Sequence, residues 1–156
     1  MRKAVLALCV VGLMGVAAWA ALDAPANFTA TVGGTDVVFD WDDVLGATKY
    51  SVDVDAAVTY TIDGIDYEAS GDLSYGTSDR TDGLPMAQSD LTVAQATIIA
   101  DVFAALTAQG IDVSLITGLT IDALASAKAL NAGKGAGAQN NPFSAPDDFQ
   151  LTWTAP

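Results

Sequence analysis

The dipeptide Asp63-Gly64 sits between two runs that alternate apolar and polar residues, and it restricts the fold of this 156-residue chain more than any other feature. A two-residue hairpin turn needs φ > 0 at its centre, which both residue types tolerate. Before the turn, Tyr50, Val52 and Val54 share one face against Lys49, Ser51, Asp53 and Asp55, and Val58, Tyr60 and Ile62 continue the alternation. After it, Ile65, Tyr67 and Ala69 make a returning strand. Alternation this regular means strands with one face buried and the other in water. The pattern begins earlier, at Phe28, Ala30 and Val32, turns at Gly33-Gly34, and resumes with Val37, Phe39 and Trp41 on one face. Asp36, Asp40 and Asp42 take outward or flanking positions there. Gly71-Asp72 reads as a further break, leading to a short strand at Leu73 to Tyr75.

The order of these stretches carries a family resemblance. Pro25-Ala26-Asn27-Phe28-Thr29-Ala30-Thr31, then Val37-x-Phe39-x-Trp41-x-x-Val44, then Gly46-Ala47-x-x-Tyr50-x-Val52 resembles the opening of a fibronectin type III domain. The resemblance implies an immunoglobulin-like antiparallel β-sandwich with these stretches as strands A, B and C. It places Trp41 in the core and Tyr50 at the head of an inward row. Near the end, Gly118-Leu119-Thr120, Ala129 to Gly133 and Asn141 to Pro146 resemble the E–F corner, the end of strand F with the F–G loop, and the start of strand G. The blocks cover about half of the mature chain.

Two departures stand against that pattern. Where the family carries Tyr-x-Phe-x-Val-x-Ala, this chain has Ala123-x-Ala125-x-Ala127-x-Ala129 and no corner tyrosine. Alanines alone cannot fill one strand's share of a core about 10 Å thick. Either another element packs there, or Ile121 to Leu130 is helical, as its alanines permit; the resemblance favours strand. The second departure is an insertion at about residues 70–117. Ser70 to Pro85 reads as loops around a short strand. A helix follows, with Thr92-x-x-Gln95 as a capping box, Ile98, Ile99, Val102, Phe103 and Leu106 as an apolar stripe, and Gly110 as its stop. Ile111 to Thr117 is either a short second helix capped by Asp112 or the remnant of strand E. The two departures meet in one expectation: the stripe docks where the alanine row leaves room. The plainer alternative is a helix that covers a sheet end. At the C-terminus Phe149, Leu151 and Trp153 share a face, as a closing strand G would. Leu151-x-Trp153-x-x-Pro156 also resembles strand B of a further repeat. However, Pro146 to Trp153 spans 7 positions where Pro25 to Trp41 spans 16, too few for a preceding strand A.

Residues 1–20 read as a cleaved signal peptide, leaving 21–156 as the domain. Arg2 and Lys3 precede the apolar run Ala4 to Ala18, and Ala18-Trp19-Ala20 presents small residues at the two positions a signal peptidase reads. The run is too short for a comfortable bilayer span. Cleavage removes Cys9, the one cysteine, so the mature chain forms no disulfide. It leaves Lys49, Arg80, Lys128 and Lys134 against 19 acids, a net charge of −15. That balance opposes binding to nucleic acid and to anionic membranes.

Catalytic chemistry is sparse. The chain has no His, which excludes Ser-His-Asp and Cys-His nucleophile systems and His-ligated zinc. Gly133-Lys134-Gly135 lacks the spacing of a phosphate loop. No catalytic, cofactor-binding or metal-binding residues are assigned. Asp40, Asp42 and Asp43, and the loop acids Asp79, Asp82 and Asp90, form clusters, but neither has the Asp-x-Asp-x-Asp-Gly order of an EF-hand. Loosely held calcium is the one cofactor they leave open, against a solvated surface that blunts sheet edges. Arg80-Thr81-Asp82 matches an integrin-type tripeptide only superficially, and the loop Asn131 to Asn141 is glycine-rich and polar at the end where the family often presents ligands. The expected function is a non-catalytic extracellular or cell-surface binding or structural module, its partner a protein or polysaccharide. The alternative is a small secreted hydrolase, which needs two carboxylates enclosed in a cleft. Exported protein is expected to begin at Ala21, which N-terminal sequencing of secreted material checks; a mature chain that keeps Met1 refutes it.

Overall fold

The computed structural model describes residues 21–77, 90–131 and 140–156. The expected leader, the acids Asp79 and Asp82, the Arg80-Thr81-Asp82 tripeptide and the glycine-rich stretch 132–139 lie outside the described residues. The described elements are β1 (Thr29–Gly33), β2 (Asp36–Asp40), β3 (Lys49–Ile62), β4 (Ile65–Gly76), β5 (Asp90–Ala94), the helix α1 (Gln95–Ala108), a 3-10 turn (Val113–Leu115), β6 (Ile116–Leu130) and β7 (Asp147–Thr154). The chain is mainly β, in two antiparallel sheets of order β1-β2-β5 and β4-β3-β6-β7.

The hairpin forms where the sequence places it. Asp63 has φ 51° and Gly64 φ 75°, so Ile62 pairs with Ile65. The ladder then runs without a register shift to Ser51 and Gly76. Gly71-Asp72 is therefore no break, and Leu73 to Tyr75 is no separate strand: Gly71 pairs with Ala56 and Asp72 with Asp55. A glycine interrupts a strand when nothing pairs with it, and here β3 supplies the ladder, so tertiary pairing overrides local propensity.

The corner expected at Gly118-Leu119-Thr120 is likewise strand interior, with Gly118 paired to both Thr61 and Thr154. What marks the place is a bulge: pairing steps from Thr61–Gly118 to Ile62–Ile116, leaving Thr117 over. Ile111 to Thr117 divides between the two readings, with Asp112 accepting from the Ser114 amide at the head of the 3-10 turn and β6 beginning at Ile116. Ile121 to Leu130 is strand, not helix. The C-terminal Phe149-Leu151-Trp153 row lies on β7, paired along β6.

The core lies between the sheets. Trp41 is 3% exposed, Phe39 and Tyr50 fully buried, and Ala123, Ala125, Ala127 and Ala129 are all buried. Large residues border the alanine row: Tyr50, Val52 and Val54 pair with Ala129, Ala127 and Ala125, and Phe149 pairs with Ala123. From the opposite sheet, Phe39 meets Phe149 edge-on at 5.8 Å and Trp41 meets Tyr50 at 5.0 Å. Small side chains on β6 let these rings close over the strand without overpacking. The Tyr50 hydroxyl accepts from the Val44 amide at 2.8 Å and ties the β2–β3 connection to the core. Burial chiefly pushes that phenol's pKa up. Among the described residues the buried Trp41 indole N–H has no hydrogen-bond partner.

The helix covers what the first sheet cannot reach. Strands β1, β2 and β5 are 5 residues each, whereas β3 has 14 and β6 has 15. At about 3.3 Å per residue the apolar face of the longer sheet outruns its cover by tens of ångströms. Ile98, Val102 and Leu106 of α1 are buried. The stripe does not centre on the alanine row: Val102 and Leu106 pack with Ala56, Val58 and Leu73 of β3 and β4, around a void of only about 10 Å³. Phe103 meets Trp153 of β7 edge-on at 4.9 Å. Along β4, Tyr75 donates to Asp101 at 2.9 Å and Gln109 donates to the Ser70 carbonyl at 3.2 Å. Burial, then the bond to Asp101 and its charge, raise the Tyr75 pKa, so the hydroxyl stays protonated and the link persists.

The helix start corrects the capping box. Thr92 is paired to Val38 inside β5, and the N-cap is Ala94, whose side chain offers no acceptor. The chain passes from strand to helix without a loop, so the β1–β2 turn does the capping: the Gln95 amide donates to the Thr35 carbonyl at 2.8 Å, and the Gln95 side chain to the Gly34 carbonyl at 3.0 Å. The expected stop holds, with Gly110 at φ 85° while its amide and that of Ile111 close on the Thr107 and Leu106 carbonyls. Trp41→Ala is expected to cost about 3–5 kcal/mol, as aromatic truncations in cores do. Denaturant titration checks this, and a loss below about 0.5 kcal/mol contradicts the packing.

Candidate functional site

The outer face of the longer sheet follows from the hairpin register. With Tyr50, Val52, Val54 and Ala56 inward, Ser51, Asp53, Asp55, Ala57 and Thr59 of β3 face out. Two rows then cross all four strands. One runs Asp72, Asp55, Leu124, Asp148; the next runs Ser70, Ala57, Asp122, Gln150. Ala57 and Ser70 are short, so the sheet backbone forms a floor between taller neighbours. The result is an open depression of about 680 Å³ bounded by Asp55, Asp72, Asp122, Asp148, Leu124 and Gln150. Four strands at about 4.8 Å spacing make it about 14 Å wide.

Its carboxylates are unequally satisfied. Asp122 accepts from the Gln150 side chain amide. Beyond the depression, Asp53 accepts from Ser51 and Ser74, and Asp66 from Thr61 at 2.7 Å. Among the described residues Asp55, Asp72 and Asp148 have no hydrogen-bond or ion-pair partner. All three are exposed. Asp55 and Asp72 stand directly opposite each other on neighbouring strands. Like charges in that relation are destabilising by a fraction of a kcal/mol. Leu124, 51% exposed, is the apolar element of the same face. Lys128 lies further along the same side of β6, its Nζ 5.1 Å from the centre of the Phe143 ring.

The acids singled out in the sequence are placed elsewhere. Asp40 pairs with Asp90 across β2 and β5, and Asp42 accepts from Asn27 at 2.8 Å. Among the described residues no three carboxylates converge as ligands of a metal ion would. Nor do Asp55, Asp72, Asp122 and Asp148 form an enclosed cleft: they stand on an open face, whereas a general acid needs a setting that keeps water away. The face was nonetheless implicit in the sequence. The turn at Asp63-Gly64 fixes Ile62 against Ile65, and counting outward from that pair sets Asp55 against Asp72.

Asp55→Asn is expected to stabilise the fold by about 0.2–1 kcal/mol at low salt, by relieving the opposed charges. The gain is expected to shrink at high salt, where exposed charges are screened. Urea titrations at two ionic strengths read both effects, and a destabilised variant contradicts the unpartnered state. No model of a known protein family matches the chain, and no curated protein matches it.

Proposed function

We propose that this protein is a non-catalytic binding or structural module of the cell exterior, built as a fibronectin type III-like sandwich, and that it meets a protein or polysaccharide through the depression on its longer sheet. One observation carries the reading: the exposed carboxylates of Asp55, Asp72 and Asp148, without partners among the described residues and two of them opposed at a cost to stability, border a wide and shallow face. Groups held against folding stability, with no partner among the described residues, suit a partner outside the molecule. Width without enclosure suits an extended surface rather than a small molecule held in a closed pocket.

The fibronectin type III-like assignment draws support from the strand order. β1-β2-β5 against β4-β3-β6-β7 matches strands A-B-E against C′-C-F-G, with Trp41 and Tyr50 in the core. In that frame α1 is an insertion between strands E and F. Exterior location rests on the leader-like residues 1–20, and no helix among the described residues is long and apolar enough to cross a membrane.

The test is binding of the immobilised domain to arrayed extracellular polysaccharides and surface proteins, beside an Asp55→Asn/Asp148→Asn variant. Ligands of the parent are expected to be lost or weakened about tenfold in the variant, the scale of one or two charge-assisted contacts. Equal binding by both proteins places the site elsewhere.

A further inference from the structure

Among the described residues, the outermost strand of the longer sheet has an edge that no other strand pairs, met there by one side-chain bond, from Gln109 of the α1 end to the Ser70 carbonyl. β4 runs 12 residues at the sheet edge, about twice the usual strand length. Natural edges are kept short, carry charges, proline or a bulge, or lie under a helix or loop. β4 is long, with no proline and an uninterrupted ladder to β3, and its protection is charge of one sign, from Asp66, Glu68 and Asp72, which repels an acidic strand but not a basic one. The side on which its backbone groups are open follows from two bonds. The Thr77 amide, next in line after β4, donates to Tyr50 of β3, so the odd-numbered residues turn their amides and carbonyls inward to the sheet. The Ser70 carbonyl points the other way, where Gln109 reaches it. The even-numbered positions Asp66, Glu68, Asp72 and Ser74 therefore present backbone donors and acceptors to the outside, and all four are exposed.

Side chains define what can lie beside this edge. Asp66, Glu68 and Asp72 project on the outer face of the sheet, and Ile65 and Tyr67, 58% and 43% exposed, on the inner. A second copy of the chain would bring another acidic strand to this one, and like charges set side by side oppose that pairing. A segment with bases on one face and apolar residues on the other meets both requirements.

We propose that β4 accepts an extended cationic segment of a partner protein as a fifth strand, with Lys or Arg at alternate positions beside Asp66, Glu68 and Asp72 and with apolar residues against Ile65 and Tyr67. Main-chain hydrogen bonds to the open edge supply affinity, and the alternating side chains supply selectivity. This surface shares Asp72 with the depression but does not need Asp55 or Asp148.

The probe is a nine-residue peptide alternating Lys and Val, set beside a Glu-Val counterpart and a Lys-Val peptide N-methylated at every second residue. Binding of the Lys-Val peptide at low salt, weakening as salt rises, is expected. The Glu-Val peptide should not bind, and N-methylation should weaken binding at least about tenfold by removing edge hydrogen bonds. On the protein side, Glu68→Pro removes an outward amide while sparing the ladder with β3, and should match the N-methylation loss. Glu68→Gln should weaken binding by a smaller factor, through charge alone. Asp55→Asn/Asp148→Asn should leave peptide binding intact, which separates this surface from the depression. N-methylation leaves the protein untouched, so the result stands even if Glu68→Pro fails to fold. The proposal is overturned if no Lys-Val binding is found, if N-methylation has no effect (charge attraction to a face), or if the free protein is a dimer that Glu68→Pro dissociates (the edge is filled by a second copy).

Discussion

Two strands of 14 and 15 residues, paired along nearly their whole length, create an apolar face that strands of 5 residues cannot cover. Leaving the rest bare would cost about 25 cal/mol for every Å² of apolar surface left in water. The helix meets that demand: Ile98, Val102 and Leu106 extend the cover, and Phe103 and Tyr75 fasten it towards the two edge strands. Much else follows from the same mismatch. The β1–β2 turn caps the helix because strand and helix join without a loop, and the bulge at Thr117 adjusts β6 where the 3-10 turn feeds into it.

Apolar demand on the inner face leaves the outer face of the same strands free for polar residues, and this chain fills it with Asp, Ser and Thr. Hydroxyls satisfy Asp53 and Asp66 locally. Asp55 and Asp148 stand beside Leu124, and Asp72 faces Asp55, while the nearby Ser74 and Gln150 donate to Asp53 and Asp122 instead. The sheet thus separates two chemistries: apolar packing lies on one side of each strand, and exposed polar and charged groups on the other.

Residues whose structure is set by their nearest neighbours were legible in the sequence. Asp63-Gly64 could only turn, Gly110 could only end the helix, and the Val37-Phe39-Trp41 row had to face inward. What misled was local chemistry overruled from a distance. Gly71 has the composition of a turn but lies against β3, and Thr92 has the hydroxyl of a cap but is held in a ladder with Val38. The alanine row correctly implied bulk nearby, yet bulk came from aromatic rings of the facing sheet and from the flanking strands, more than from the helix. As for the candidate site, single acidic clusters along the chain pointed to the wrong places. The depression joins residues of four strands, so it emerges only once register is known.

The register also sets an order in time. β3 and β4 meet across a two-residue turn, and isolated hairpins of that kind close within about 1–10 μs. β3 and β6 must bring Lys49 to Leu130 across most of the described chain, and such distant pairings are slow to nucleate. Any hairpin formed before β6 arrives has the far edge of β3 open and the row from Tyr50 to Val58 bare, the arrangement in which β chains most readily adhere to one another. The other face of that strand carries Asp53 and Asp55, and like charges set side by side oppose pairing between two such hairpins.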